Sequence, residues 1–196
     1  MATTSYSPTT ALVVVDVQND FADPEGSLYV AGGEEVVPVI NNEIQNARRA
    51  GALIAYTADW HPESTPHFQK DGGIWPVHCV AGTWGAEFHP DLVVEGPVVR
   101  KGSNGEDGYS GFTMQDPVTM ETIPTELAEI LWDHNIEQIV VVGLATDYCV
   151  KATALDGVAN GFRVEVPSEA IRAVNLNQGD GERALEEMAD AQVSVR

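Results

Sequence analysis

Four side chains able to move protons or attack carbon fall where apolar runs end. Asp16 closes "ALVVV", Asp59 closes "ALIAYTA", Lys101 closes "GPVVR", and Cys149 follows "IEQIVVVGLATDY". A carboxylate, an ammonium and a thiol at one point are the parts of nucleophilic catalysis: a base for the thiol proton, a cation for the anions, and a sulfur to attack. Each also has a plain reading. An Asp after a strand forms turns, a lysine is solvated, and a lone Cys is a small buried apolar residue. Cys149 differs from Cys79 in its setting. It falls in the expected first turn of a helix, where unpaired N–H groups and the dipole lower a thiol pKa. Cys79, in "WPVHCVAG", has no such setting. Lys151, two positions beyond Cys149, points away from the thiol on a helix, whereas Lys101 ends its own strand and can face a cleft. Lys70 lies in a polar loop.

A second cluster is "DWHPESTPHFQKDGGIWPVHC", where three of the five histidines fall within 21 residues. Asp59 and His61 are two apart in extended chain and project from one side. With His67 and His78 they supply one carboxylate and three imidazoles, a donor set that suits Zn²⁺, Fe²⁺ or Mn²⁺. Loop histidines also cap turns, and the spacing matches neither a zinc finger nor an H-E-x-x-H helix.

The elements that must position these groups alternate. Strand-like runs cover 11–17, 52–59, 96–102, 136–145 and 162–170, with "QVSVR" as a last short one. Amphipathic stretches cover 34–51 (Val37, Ile40, Ile44 and Ala47 at helical spacing, Gly51 closing), 124–135 with Pro124 near its start, the segment after "TDYC" to about Asn160, and 181–191. Such alternation predicts an α/β fold, a parallel sheet covered by helices on both faces. In such sheets ligands sit beyond the carboxyl ends of the strands, which is where the four reactive residues collect. Residues 60–95 and 102–123, rich in Gly, Pro, His and aromatics, read as long functional loops.

The chain has 196 residues, so one domain (1–196) is expected, large enough to bury about 70 % of its unfolded surface. Ten basic against thirty acidic residues give a net charge of −20, which argues against nucleic acid and anionic membranes as partners. The acid is spread along the chain. It fits a cytoplasmic protein of a high-salt cell interior, where screening removes most of the self-repulsion; mere acidity is the plainer reading. No apolar run approaches the roughly 20 residues that span a bilayer, and "MATTSYSPTT" lacks the basic start of a signal peptide. Two cysteines are too few for a disulfide scaffold.

Taken together, "VVVDVQNDF" (13–21), "DWHP" (59–62), "WPVHC" (75–79), "GTWGAEFHP" (82–90), "KG…GYSGF" (101–112) and "VVGLATDYCV" (141–150) resemble the nicotinamidases, within the isochorismatase-like cysteine hydrolases. The resemblance implies a three-layer α/β/α fold with a six-stranded, mostly parallel sheet. It implies hydrolysis of the small molecule nicotinamide to nicotinate and ammonia, a step of NAD salvage, through a thioester. It assigns Asp16, Lys101 and Cys149 as the catalytic triad and the N–H groups of Ala145 and Cys149 as the oxyanion site, beside a cis peptide at Leu144–Ala145. It assigns Asp59, His61 and His78, with His67 as the variable fourth, to one divalent metal ion, zinc first and iron or manganese next. Phe21, Trp75 and Tyr109 match positions that sandwich the substrate ring. Tyr148 stands where some relatives carry histidine. Three other readings remain open at this stage: a metal-free N-carbamoyl or ureido amide hydrolase of the same fold, an ether-cleaving isochorismatase (disfavoured because those lack the cysteine), and a non-catalytic ligand-binding relative. A homo-oligomer is compatible with all of them.

Overall fold

The structure, a computed structural model, describes residues 5–196. The expected absence of a leader rests partly on residues 1–4, which lie outside the described ones. Strand β1 (Thr10–Val15) is followed by the short helix α1 (Asn19–Ala22), helix α2 (Gly33–Arg49), β2 (Leu53–Asp59), β3 (Val98–Lys101), the hairpin β4 (Thr113–Gln115) and β5 (Thr122–Pro124), and helix α3 (Leu127–Asp133). Then come β6 (Gln138–Leu144), a wide turn at Thr146–Val150, α4 (Lys151–Ala159), β7 (Arg163–Val166), β8 (Ile171–Arg172), α5 (Asp180–Asp190) and β9 (Ser194–Val195).

The main sheet runs β3-β2-β1-β6-β7-β9, with the two-residue β8 also beside β6, and every pairing in it is parallel. The six-stranded core agrees with expectation; β8 is an added seventh segment. The chain winds from β1 outward through β2 to β3, and from β6 outward through β7 to β9. The order therefore reverses between β1 and β6, the place where such sheets bind ligands.

Both faces of the sheet are covered, which is why its inner strands read as unbroken apolar runs. Leu12 and Val14 of β1 pack with Ile40 and Ile44 of α2. Ala11, Val13 and Val15 pack on the opposite face with Leu127 and Leu131 of α3, Ala154 of α4 and Met188 of α5. Burying each Val or Leu in this way contributes about 1.5–3 kcal/mol. Gly143 of β6 has φ 117°, and a Cβ there would lie 2.1 Å from the Val15 carbonyl oxygen, so only glycine fits between β1 and the end of β6.

Three expectations need correction. The helix placed at 124–135 begins at Leu127: Pro124 instead ends β5, and the Thr125 hydroxyl accepts the Leu127 N–H at 3.2 Å and so fixes the later start. The loop expected over 102–123 contains β4 and runs into β5, paired antiparallel with Thr113 opposite Pro124. The strand expected over 162–170 stops at Val166, because Pro167 has no N–H to continue the ladder. No helix of the described residues is long and apolar enough to cross a membrane.

Candidate active site

Strand ends bring the reactive groups together. β1 terminates when Asp16 takes φ 51°, a left-handed conformation that Asp tolerates better than most residues. This turns its carboxylate across the carboxyl end of β2. Lys101, the last residue of β3 and paired with Asp59 of β2, reaches back underneath. Its Nζ donates to Asp16 Oδ2 at 2.8 Å and to the Tyr109 carbonyl at 3.1 Å, lies 3.7 Å from Cys149 Sγ, and is 3.0 Å from Asp59 Oδ1. Asp16 is 0 % exposed, Lys101 1 % and Cys149 7 %. Asp16 is held further by Thr57, whose hydroxyl donates to Oδ1 at 2.6 Å.

Cys149 does not sit in the first turn of a regular α-helix as expected. The Val150 N–H reaches the Ala145 carbonyl at 3.1 Å, a five-residue step that marks a π-type turn, a feature common at functional sites. Asp147 ties this turn down by accepting the Val174 and Asn175 N–H groups at 2.9 and 2.8 Å. The expected cis peptide is present at Leu144–Ala145.

The thiol also departs from its expected acidity. Burial pushes Cys149 well above the usual thiol range, the Lys101 ammonium opposes this, and the Asp16 and Asp59 carboxylates add to the rise. Burial likewise raises Asp16 against the pull of Lys101. For Lys101 burial acts downward, yet the two carboxylates and the sulfur hold the ammonium well above the usual lysine range. Burial alone would raise Asp59, but Lys101 and the neighbouring His61 and His78 keep it far below the ordinary carboxylate range.

Asp59 faces the second cluster with its other oxygen. Oδ2 is 3.7 Å from His61 Nε2 and 3.9 Å from His78 Nε2. His61, His67 and His78 each offer a ring nitrogen, all within 4.8 Å of one another. His67 Nδ1 bonds Asp107 at 2.7 Å and His78 Nδ1 bonds the Pro76 carbonyl at 2.8 Å, so in both rings Nε2 is left for the centre. Both nitrogens of His61 are buried without a hydrogen-bond partner. A polar atom orphaned in this way is costly unless something binds it. Burial pushes His78 down to about 4 despite the pull of Asp59, which keeps the ring neutral and its lone pair free. One carboxylate oxygen and three imidazoles therefore fit a divalent ion.

The two clusters share a cavity enclosing about 360 Å³, its open mouth included, within the range of small-molecule sites. Phe21, Trp75 and Tyr109 line it, as do His67, His78, Ala145 and Cys149. Trp75 Nε1 donates to the Tyr109 hydroxyl at 3.0 Å, and the Trp75 and Tyr148 rings meet edge-on with centroids 4.8 Å apart. The excluded residues stay outside: Lys151 pairs with Glu187 at 2.7 Å, and Cys79 is buried with its thiol toward the Gly85 carbonyl.

A sequence profile of the isochorismatase domain matches residues 10–196. The chain belongs to the isochorismatase family. Within that family it is 36 % identical over 202 residues to the nicotinamidase of Escherichia coli (strain K12), covering 94 % of this chain and 92 % of that protein. The crystal structure of the pyrazinamidase of Pyrococcus horikoshii in complex with zinc aligns with a TM-score of 0.85 and 39 % identity, over 96 % of this chain and 99 % of that one. That of PnC1 from L. infantum in complex with nicotinate aligns with a TM-score of 0.89 and 34 % identity, over 98 % and 95 %.

The sequence reading missed the residues that brace this isochorismatase-family site. Gln18 clamps the Asp59 backbone, donating to its carbonyl at 2.7 Å and accepting its N–H at 2.8 Å. Asp20 accepts the Cys79 N–H, beside His78, at 2.7 Å. Asp107 is fixed by paired backbone bonds to Gln115 of β4. Gln18 and Asp20 stand at alternate positions after Asp16 in "DVQND", the only signal that could have found them.

Proposed function

We propose that this chain hydrolyses nicotinamide to nicotinate and ammonia through a thioester on Cys149, with Asp16 and Lys101 completing the triad. The observation that carries the reading is the convergence of Asp16, Asp59 and Cys149 on Lys101 Nζ, at 2.8–3.7 Å, beside an aromatic-walled cavity that Asp59 and Cys149 line together with His67 and His78. Family relatives that act on nicotinamide or hold nicotinate support the substrate.

Proton transfer from the thiol to Asp16 keeps the pair at one net negative charge. The buried site thus creates no new charge; the charge moves from one side of the Lys101 ammonium to the other, which favours both anions. The Cys149 thiolate attacks the carboxamide carbon, and the backbone N–H groups of Ala145 and Cys149 hold the oxyanion where water is scarce. Asp16 returns the proton to nitrogen, ammonia departs, and Asp16 then deprotonates the water that cleaves the thioester. Phe21, Trp75 and Tyr109 hold the ring. Asp59, His61, His67 and His78 would hold the divalent ion, zinc by analogy with the Pyrococcus relative. When bound, the ion would supply a Lewis-acid centre for the pyridine nitrogen of the substrate or for water.

The test is ammonia release from nicotinamide by purified protein, with and without chelator. Turnover that chelation suppresses and zinc restores is expected. An inert holoprotein refutes the reading. Chelator-insensitive hydrolysis of N-carbamoyl compounds instead would favour the metal-free amidase, which has no use for three histidines around one point.

A further inference from the structure

The structure contains a second cation position, and a lysine fills it. Around Lys101 Nζ lie Asp16 Oδ2 at 2.8 Å, Asp59 Oδ1 at 3.0 Å, the Tyr109 carbonyl at 3.1 Å and Cys149 Sγ at 3.7 Å. Ligand atoms of Asp16, Asp59 and Cys149 lie within 4.8 Å of one another, the same limit that encloses the three histidine nitrogens. Asp59 stands between the two groups. Oδ1 meets the ammonium, while Oδ2 faces His61 and His78. A carboxylate with one oxygen on each of two cation positions is how paired metal centres are bridged.

We infer that Lys101 occupies what would otherwise be a divalent-ion site of Asp16, Asp59 and Cys149, and so keeps a metal off the nucleophile. Two carboxylate oxygens and a thiolate are a donor set that zinc takes readily. A coordinated thiol loses its proton outright, but donation to the metal draws charge off the sulfur and weakens it toward carbon. An ammonium carries positive charge and three N–H donors, with no orbital to accept a sulfur lone pair. It therefore balances the same anions and leaves the thiolate nucleophilic. This explains how a reactive cysteine can stand beside a histidine-rich metal cluster without becoming part of it. The inference stands whether or not nicotinamide is the substrate, because its readout is metal binding.

The test compares wild type with Lys101→Ala by equilibrium dialysis against Zn²⁺, and by Co²⁺ titration followed through the near-ultraviolet cobalt–thiolate band. The band separates Cys149 ligation from weak binding at surface carboxylates. Lys101→Ala should take up one equivalent more per chain than wild type and show the band. Adding Cys149→Ser should abolish the band and weaken the extra site at least tenfold. Equal stoichiometry and no band in Lys101→Ala, at concentrations that saturate wild type, overturns the inference, as does a thiolate band in wild type. Zinc should also replace the missing counter-charge during folding. Failure of both Lys101→Ala and Lys101→Ser to fold with zinc present contradicts it equally.

Discussion

Replacing Thr57 by valine removes one hydroxyl from a buried site with almost no change in shape. The lost interaction is the 2.6 Å bond to Asp16 Oδ1, made between two residues that are both 0 % exposed. A hydrogen bond to a charged acceptor contributes about 1.5–3 kcal/mol, and valine offers no replacement donor. Thr57 does not line the cavity, so substrate binding should be little affected. The Thr57 bond also holds Asp16 down against burial. Without it the carboxyl keeps its proton to higher pH and is less often available as the base. Thr57→Val should therefore lower kcat/KM roughly 10- to 150-fold, almost all of it in kcat, and shift the acid limb of the pH–rate profile upward. Thr57→Ser should restore most of the loss. Steady-state ammonia release between pH 5 and 9 reads all three. A Thr57→Val enzyme within twofold of wild type, or one altered only in KM, refutes the idea that this hydroxyl sets up the base.

Other consequences are as definite. Asp107→Asn removes the carboxylate on His67 Nδ1 and should weaken metal binding about 10- to 100-fold in chelator competition; unchanged affinity would remove His67 from the ligand set. Gly143→Ala puts a Cβ 2.1 Å from the Val15 carbonyl at φ 117°, and should lower unfolding free energy by at least about 2 kcal/mol in urea titrations. With a net charge of −20, the melting temperature should rise between dilute buffer and molar KCl as self-repulsion is screened. A flat response would show that the acidic surface carries no such penalty.

The parallel sheet was legible because burial on both faces leaves unbroken β-branched runs such as "ALVVV" and "IVVV". Asp16, Asp59 and Lys101 were legible because each ends a strand-like run, and Cys149 because it falls in the turn after another. What escaped has a common cause: it depends on side chains meeting across long sequence separations. Gln18 reads as a polar loop residue until its amide is seen clamping the Asp59 backbone 41 positions away. The hairpin of β4 and β5 has three residues per strand and no alternation to announce it, yet it carries the bonds that fix Asp107. The acidity of Cys149 is not legible in the sequence because a helix terminus is local and readable, whereas burial beside two carboxylates is a property of the assembled site. Pattern located the chemistry; only packing determines its proton balance.

Every step of the mechanism depends on Cys149 Sγ making the bond to carbon. Cys149→Ala deletes that atom and leaves Asp16, Lys101 and the histidines in place, so a protein with unchanged metal content and circular dichroism should release no ammonia from nicotinamide above the enzyme-free blank. Turnover by that variant within tenfold of wild type would mean that water, not sulfur, attacks the amide, and would contradict a thioester on Cys149.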